Sequence, residues 1–261
     1  MVRVKDIEKT ILREVVYRYI KSEQPIGSAQ LKSAITADLS SATIRNYFRR
    51  LVEEGYLTQI HSSSGRIPTN AALKSYWLEA LSYDESCEIE LRKIADVARS
   101  FGLYALLHIR SQNRLVDLSR TKRGTLIAEF ERGAAAIEHS NAIERLLTEF
   151  LDYDISDLLA IAQSNRIDAL YHALWQIERS QIARFNKETL IELSAKADID
   201  FDRLYDGRII AGMNSGIYFG GNAMFLAQRT NVDSQSAILL ACGTICRDYL
   251  GFISSIRKEE V

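Results

Sequence analysis

Between residues 41 and 54 the sequence groups side chains whose types and spacing could read a nucleic acid. Ile44, Tyr47, Phe48, Leu51 and Val52 recur at the spacing of one buried helix face. The opposite face then presents Ala42, Thr43, Arg45, Asn46, Arg49 and Arg50, with no acid before Glu53. In a major groove, arginine can pair bidentately with the O6/N7 edge of guanine, and asparagine with the N6/N7 edge of adenine. Arg45 and Asn46 are therefore the expected base contacts. Ser41, Thr43, Arg49 and Arg50 are expected on the phosphate backbone, with Ser28 of the preceding helix setting the register. The plainer reading is a solvated helix face, which the arginines alone do not exclude.

Other chemistry finds little purchase. Cys242 and Cys246 lie four apart with no histidine nearby and no second pair, short of the four ligands of a structural zinc site. His61, His108, His139 and His172 are scattered, and only His61 falls where it could touch a nucleic acid. No nucleophile elbow, His-Glu-x-x-His pair or phosphate-binding glycine loop occurs. Asp152, Asp154 and Asp157 fit a solvated helix start. The expectation is a protein without catalytic residues, metal or cofactor.

The arginine-bearing helix needs elements to hold it. Lys5 to Lys21 carries one broad apolar stripe at helical spacing: Ile7, Ile11, Leu12, Val15, Val16, Tyr19 and Ile20. Gln24-Pro25-Ile26-Gly27 breaks it, and Ser28 can cap a short second helix. Ser40 caps the third, with Leu39 and Ile44 placed as a hydrophobic staple. Tyr56 to His61, a Ser62-Ser63-Ser64-Gly65 turn and the return Arg66-Ile67-Pro68 form a hairpin. Helix, turn, capped helix and hairpin is the winged helix–turn–helix order. Ser62, Ser64 and Arg66 at the wing join the expected backbone contacts. A further helix runs from Asn70 to Leu81, with Leu73, Tyr76, Trp77, Ala80 and Leu81 inward.

Beyond it, Leu103–Ile109, Leu115–Leu118 and Thr125–Phe130 read as strands, as do Gly216–Phe219, Ala223–Gln228, Ala237–Cys242 and Arg247–Ile253. These two sets are expected in one mixed domain. The intervening residues, about 133 to 195, read as helical, with Ala136–Leu151 and Ile167–Ile182 as amphipathic examples.

At 261 residues and 47% apolar, the chain can bury two or three compact units. Net charge is −1, yet residues 1–80 hold 12 Lys and Arg against 8 Asp and Glu. A basic end on an acidic body fits one part meeting a polyanion. Three cysteines are too few for a disulfide scaffold. The first residues lack the apolar core of a signal peptide, and no apolar run approaches the roughly 20 residues of a membrane span. A cytoplasmic protein is expected.

Four segments together resemble the N-terminal domain of the HrcA heat-inducible transcription repressors. They are Gln24-Pro25-Ile26-Gly27-Ser28, Leu39-Ser40-Ser41-Ala42-Thr43-Ile44-Arg45-Asn46, Glu54-Gly55-Tyr56-Leu57, and His61-Ser62-Ser63-Ser64-Gly65-Arg66-Ile67-Pro68-Thr69. Gly216-Ile217-Tyr218-Phe219 and Tyr249-Leu250-Gly251-Phe252-Ile253 are similar, more loosely, to that family's terminal strands. The resemblance implies a homodimer of α+β fold: an N-terminal winged helix–turn–helix, then a GAF-like mixed α/β domain interrupted by a helical dimerisation insertion. The corresponding boundaries are 1–82, then 86–131 with 200–261, and 132–199. It further implies repression of chaperone genes through a double-stranded inverted-repeat operator, CIRCE, with the GroEL chaperonin as a further partner. Two features depart from the family pattern. Tyr47-Phe48-Arg49-Arg50 stands where acidic and small residues are commoner, and no Gly-Pro turn and closing helix follow Ile253. The stripe Ile137, Ile143, Leu146, Leu147, Phe150 and Leu151 is core or dimer surface. Two other functions stay open. One is a ligand-responsive regulator whose GAF-like domain senses a small effector in a polar-lined pocket among residues 100–130 and 210–253. The other is an adaptor whose winged helix contacts protein only.

Overall fold

The computed structural model describes residues 2–33, 35, 39–59, 65–83, 86–110, 112–196, 199–211 and 213–258. Its first part is organised by α1 (Val2–Ser22), α2 (Ser28–Lys32), α3 (Ser41–Glu53) and the antiparallel pair β1 (Leu57–Thr58) and β2 (Ile67–Pro68). Ile11, Val15, Ile26, Leu31, Ile44, Phe48, Leu51 and Leu57 close a small core between them. The residue before α2 that caps it is Gly27, not Ser28, which is instead the first helical residue. The Gln30 amide oxygen reaches back to accept from the Gly27 N–H at 2.9 Å.

Next, α4 (Asn70–Ala80) leads into the body. The chain then forms β3 (Cys87–Glu88), α5 (Leu91–Ser100) and β4 (Tyr104–Ile109). It leaves that region to make β5 (Leu115–Arg120), β6 (Thr125–Phe130), β7 (Gly133–Glu138), α6 (Asn141–Glu149), α7 (Ile155–Ser164) and α8 (Asp168–Glu178). It returns through β8 (Ile182–Phe185), α9 (Lys187–Lys196), α10 (Phe201–Asp206), α11 (Arg208–Ala211), β9 (Gly216–Gly220), β10 (Ala223–Val232), β11 (Gln235–Thr244) and α12 (Tyr249–Ile256). The main sheet runs β3-β10-β11-β4-β8, with β9 also on β10; β5, β6 and β7 form a separate antiparallel sheet.

Burial explains this layering. In β4, Tyr104 and Leu106 enter one apolar cluster, while Ala105 and Leu107 enter another. In β11, Ile238, Leu240 and Cys242 alternate in the same way with Ala237, Leu239 and Ala241. Strands apolar on both faces need cover on both. On one face lie residues of α4, α5 and α12 with Val16 and Ile20 of α1; on the other lie the three-stranded sheet and α6 to α11.

Three expectations change. Residues 247–253 are not a strand: Asp248 Oδ1 accepts from the Gly251 N–H at 3.0 Å and starts α12. Tyr249, Phe252, Ile253 and Ile256 then point inward at helical spacing, so a closing helix is present after all. Ala136–Leu151 is not one helix: β7 runs to Glu138, and Ser140 caps α6 by accepting from the Ile143 N–H at 3.1 Å. Finally, β5 and β6, expected beside the late strands, pair with β7, because Leu115, Leu126, Ala128 and Phe130 cover the sheet rather than extend it.

Trp77 joins the first part to the body. It is fully buried, its Nε1–H donates to the Ile245 carbonyl at 2.7 Å, and its ring meets Tyr249 edge-on at 5.5 Å. Trp77→Ala should cost about 3–5 kcal/mol by lost burial and cavity formation. Trp77→Phe should cost about 1–3 kcal/mol by orphaning the carbonyl. Urea unfolding of both variants checks the order.

Candidate nucleic-acid interface

Local chemistry fixes α3 first. The Ser40 hydroxyl accepts from the Thr43 N–H at 3.1 Å and lies 2.9 Å from the Thr43 hydroxyl. This cap satisfies a helix donor that would otherwise be orphaned. Ile44, Phe48 and Leu51 are buried against α1 and α2. Leu39 is half-buried against the same cluster as Ile44. Tyr47 is only half-buried and Val52 is 36% exposed, so the inward face is narrower than the apolar spacing implied.

Arg45, Asn46 and Arg49 are exposed on the outer face of α3. Among the described residues no carboxylate lies within ion-pair distance of Arg45 or Arg49. Ser41 and Thr43 are half-exposed at the helix start. Here, then, two cations and an amide are left unspent by the chain's own carboxylates. Ser28 is half-buried in the first turn of α2.

Arg50 is placed differently. Its guanidinium donates to Glu8 Oε2 of α1 at 2.9 Å and lies 5.8 Å from the Tyr47 ring centroid. Glu8 is only 7% exposed, and its other oxygen is buried without a hydrogen-bond partner. Arg50 is thus paired with a buried acid, although its side chain remains 46% exposed. The sequence carried a signal for this: Glu8 sits within the apolar stripe of α1, where a charge needs a partner.

The hairpin base is well defined. Ile26 and Arg66 exchange backbone hydrogen bonds of 2.9 Å, which ties the loop before α2 to β2. At Gly65 a Cβ would stand 2.6 Å from the Ile26 backbone, so only glycine fits this approach. The Arg66 guanidinium lies 5.9 Å from the Phe48 ring centroid, and burial holds it below the usual arginine range. Arg66 therefore belongs to the base of the hairpin. His61, Ser62 and Ser64, expected at its tip, lie outside the described residues.

Elsewhere, no group of three or more His, Cys, Asp or Glu is gathered as for a metal ion among the described residues. Burial pushes the Cys242 thiol up to about 12. No helix among the described residues is long and apolar enough to cross a membrane.

Comparison with known proteins places this architecture. The chain matches a crystal structure described as that of a hypothetical protein with a TM-score of 0.51 at 17% identity, covering 96% of this chain and 94% of that one, which shows a shared fold. Residues 77–260 match the family model of the HrcA C-terminal domain. The heat-inducible transcription repressor HrcA of Helicobacter pylori strain J99 is 31% identical over 256 residues, 97% of this chain and 95% of that one. Its counterpart in Protochlamydia amoebophila strain UWE25 is 56% identical over 71 residues, 27% of this chain and 18% of that one. The chain belongs to the HrcA family, which consists of transcription repressors and not of enzymes.

The division of labour on α3 is testable by stability alone. Arg50→Ala leaves Glu8 buried without its partner and should cost about 1–3 kcal/mol. Arg45→Ala and Arg49→Ala should stay within about 0.5 kcal/mol, as exposed positions do. Denaturant unfolding of the three variants measures both.

Proposed function

We propose that this chain is a heat-responsive, sequence-specific DNA-binding repressor that reads an inverted-repeat, CIRCE-type operator as a homodimer. The observation that carries the reading is the exposed Arg45, Asn46 and Arg49 face of α3, held rigidly from behind. In this reading residues 1–82 are a winged helix–turn–helix, with α3 as recognition helix, α2 crossing the backbone and the β1–β2 hairpin as wing. Arg45 and Asn46 read base edges; Ser28, Ser41, Thr43 and Arg49 meet phosphate, with wing residues Ser62 and Ser64. Arg66 and Arg50 are reassigned, the first to hold the wing's base and the second to hold α3 on α1. Residues 86–258 form a GAF-like body with its insertion, and bound protein occludes the promoter without chemistry.

Two-fold symmetry in the operator calls for two copies of the chain. Ile137, Ile143 and Leu147 of the expected stripe are spent in the core, but Leu151 is 41% exposed. Val116 at 50% and Tyr153 at 47% stand beside it, since Leu115 exchanges backbone hydrogen bonds with Asp152 and Tyr153. These three support self-association through the insertion. Replacing Leu151 and Tyr153 together by glutamate should convert a sedimenting dimer to monomer; an unchanged dimer puts the interface elsewhere.

Fluorescence anisotropy with the inverted repeat and a scrambled duplex, across a salt series, tests the DNA reading. Wild type should prefer the repeat by about a hundredfold or more. Arg45→Ala should lose about 1–3 kcal/mol on the repeat and less on the scrambled duplex. Arg49→Ala should weaken both alike and flatten the salt slope by about 0.9. Equal losses on both duplexes for Arg45→Ala would remove its base-reading role, and no binding to either would favour the protein-only adaptor.

A further inference from the structure

Between the end of β4 and helices α7 and α8 lies a cavity of about 300 Å³. Its walls include His108, Arg110, Leu159, Tyr171, Trp175 and Glu178. His108 and Arg110 fall in the first of the two ranges suggested by the sequence for an effector, but the other walls come from α7 and α8 rather than from residues 210–253; residues of the main sheet there are packed on both faces. The cavity's chemistry is unusual for a gap between core elements. His108 and Glu178 are 8% and 7% exposed and share a hydrogen bond of 2.7 Å through Nε2. His108 Nδ1 and Trp175 Nε1 are both buried with no hydrogen-bond partner. Buried polar groups are rarely left unpaired, so something is expected to meet them.

Balance of charge says what. The cavity's acids are already occupied. Glu178 holds His108, while Asp154 accepts from the Asn113 N–H at 2.8 Å and from the Ser156 N–H and hydroxyl at 3.0 and 2.7 Å. Its donors are not. The indole N–H of Trp175 can only donate. Arg110, two residues beyond His108 and exposed, has no carboxylate within ion-pair distance among the described residues. Leu159, Tyr171 and the Trp175 ring, stacked on Tyr171 at 6.4 Å, supply apolar wall.

From this juxtaposition we infer that the cavity binds a small organic acid with an apolar body. Its carboxylate accepts from Trp175 Nε1–H and faces Arg110. This site is independent of the DNA reading and uses none of the residues on α3.

The chain offers its own reporter. It has two tryptophans, and Trp77 Nε1 is already bonded to the Ile245 carbonyl. In ¹⁵N–¹H spectra of the full-length protein, titrated phenylacetate should shift one indole resonance and leave the other in place. Trp175→Phe should delete the shifting resonance. Phenethylamine, with the same ring and the opposite charge, should shift neither. Arg110→Ala should weaken phenylacetate about tenfold, the size of one lost hydrogen bond to a charged group. Ala160→Phe, at an exposed helix position on the cavity's lining, should abolish the shift while the fold is retained. The inference is overturned if phenylacetate at saturating millimolar concentration moves neither indole, if phenethylamine matches it, or if Ala160→Phe leaves the response intact.

Discussion

Two adjacent strands that are apolar on both faces govern this molecule. Neither face of β4 or β11 can meet water, so the chain must bring a cover to each. One cover is helical and recruits α4, α5 and α12 together with the last turns of α1. The other is the three-stranded sheet with α6 to α11, which the chain builds by leaving the main sheet after β4 and rejoining it at β8. What looks along the sequence like an interruption is, in space, the second half of a sandwich.

The same requirement reaches into the first part of the chain. α3 has little surface of its own to bury: Ile44, Phe48 and Leu51 are its buried residues. Its orientation comes from α1, through apolar packing and the Arg50–Glu8 pair. Of the arginines on α3, only Arg50 has a partner of its own among the described residues, and it is the one nearest α1. Arg45 and Arg49 have no carboxylate within ion-pair distance among the described residues, while Arg50 pins the helix to α1.

Much of this was legible in the sequence, for identifiable reasons. The Ser40 cap, the Ile44–Phe48–Leu51 face and the break at Gln24–Gly27 depend on neighbours within a few residues, and local patterns report them well. Arg50's role was not legible from α3, because its partner lies 42 positions earlier. The closing helix was misread because Tyr249, Phe252 and Ile253 favour strands by type, while the Asp248 cap that decides the matter is one hydrogen bond. β7 was absorbed into a helix because Ala134, Ala135 and Ala136 suit a helix by propensity, and only pairing with β6 makes them a strand. The cavity beside β4 was only half legible: His108 and Arg110 lie in a range where a pocket was expected, but the segment 154–178 that closes it is linked to them by no pattern.

α1 belongs to two cores at once. Ile11 and Val15 fill the small cluster behind α3, while Val16 and Ile20 fill the cluster against the main sheet; Leu12 borders both. A helix of about 30 Å is thus a shared beam between two rooms. The ion pairs Lys21–Asp248 and Arg247–Glu23 nail its far end to the start of α12. Loosening the sheet's helical cover therefore takes Val16 and Ile20 out of their seats, and the same helix carries Glu8, the anchor of Arg50. Melting of the body and loss of a correctly aimed α3 become one cooperative event. Whatever disturbs the sheet's helical cover is therefore transmitted to α3 along a single rod.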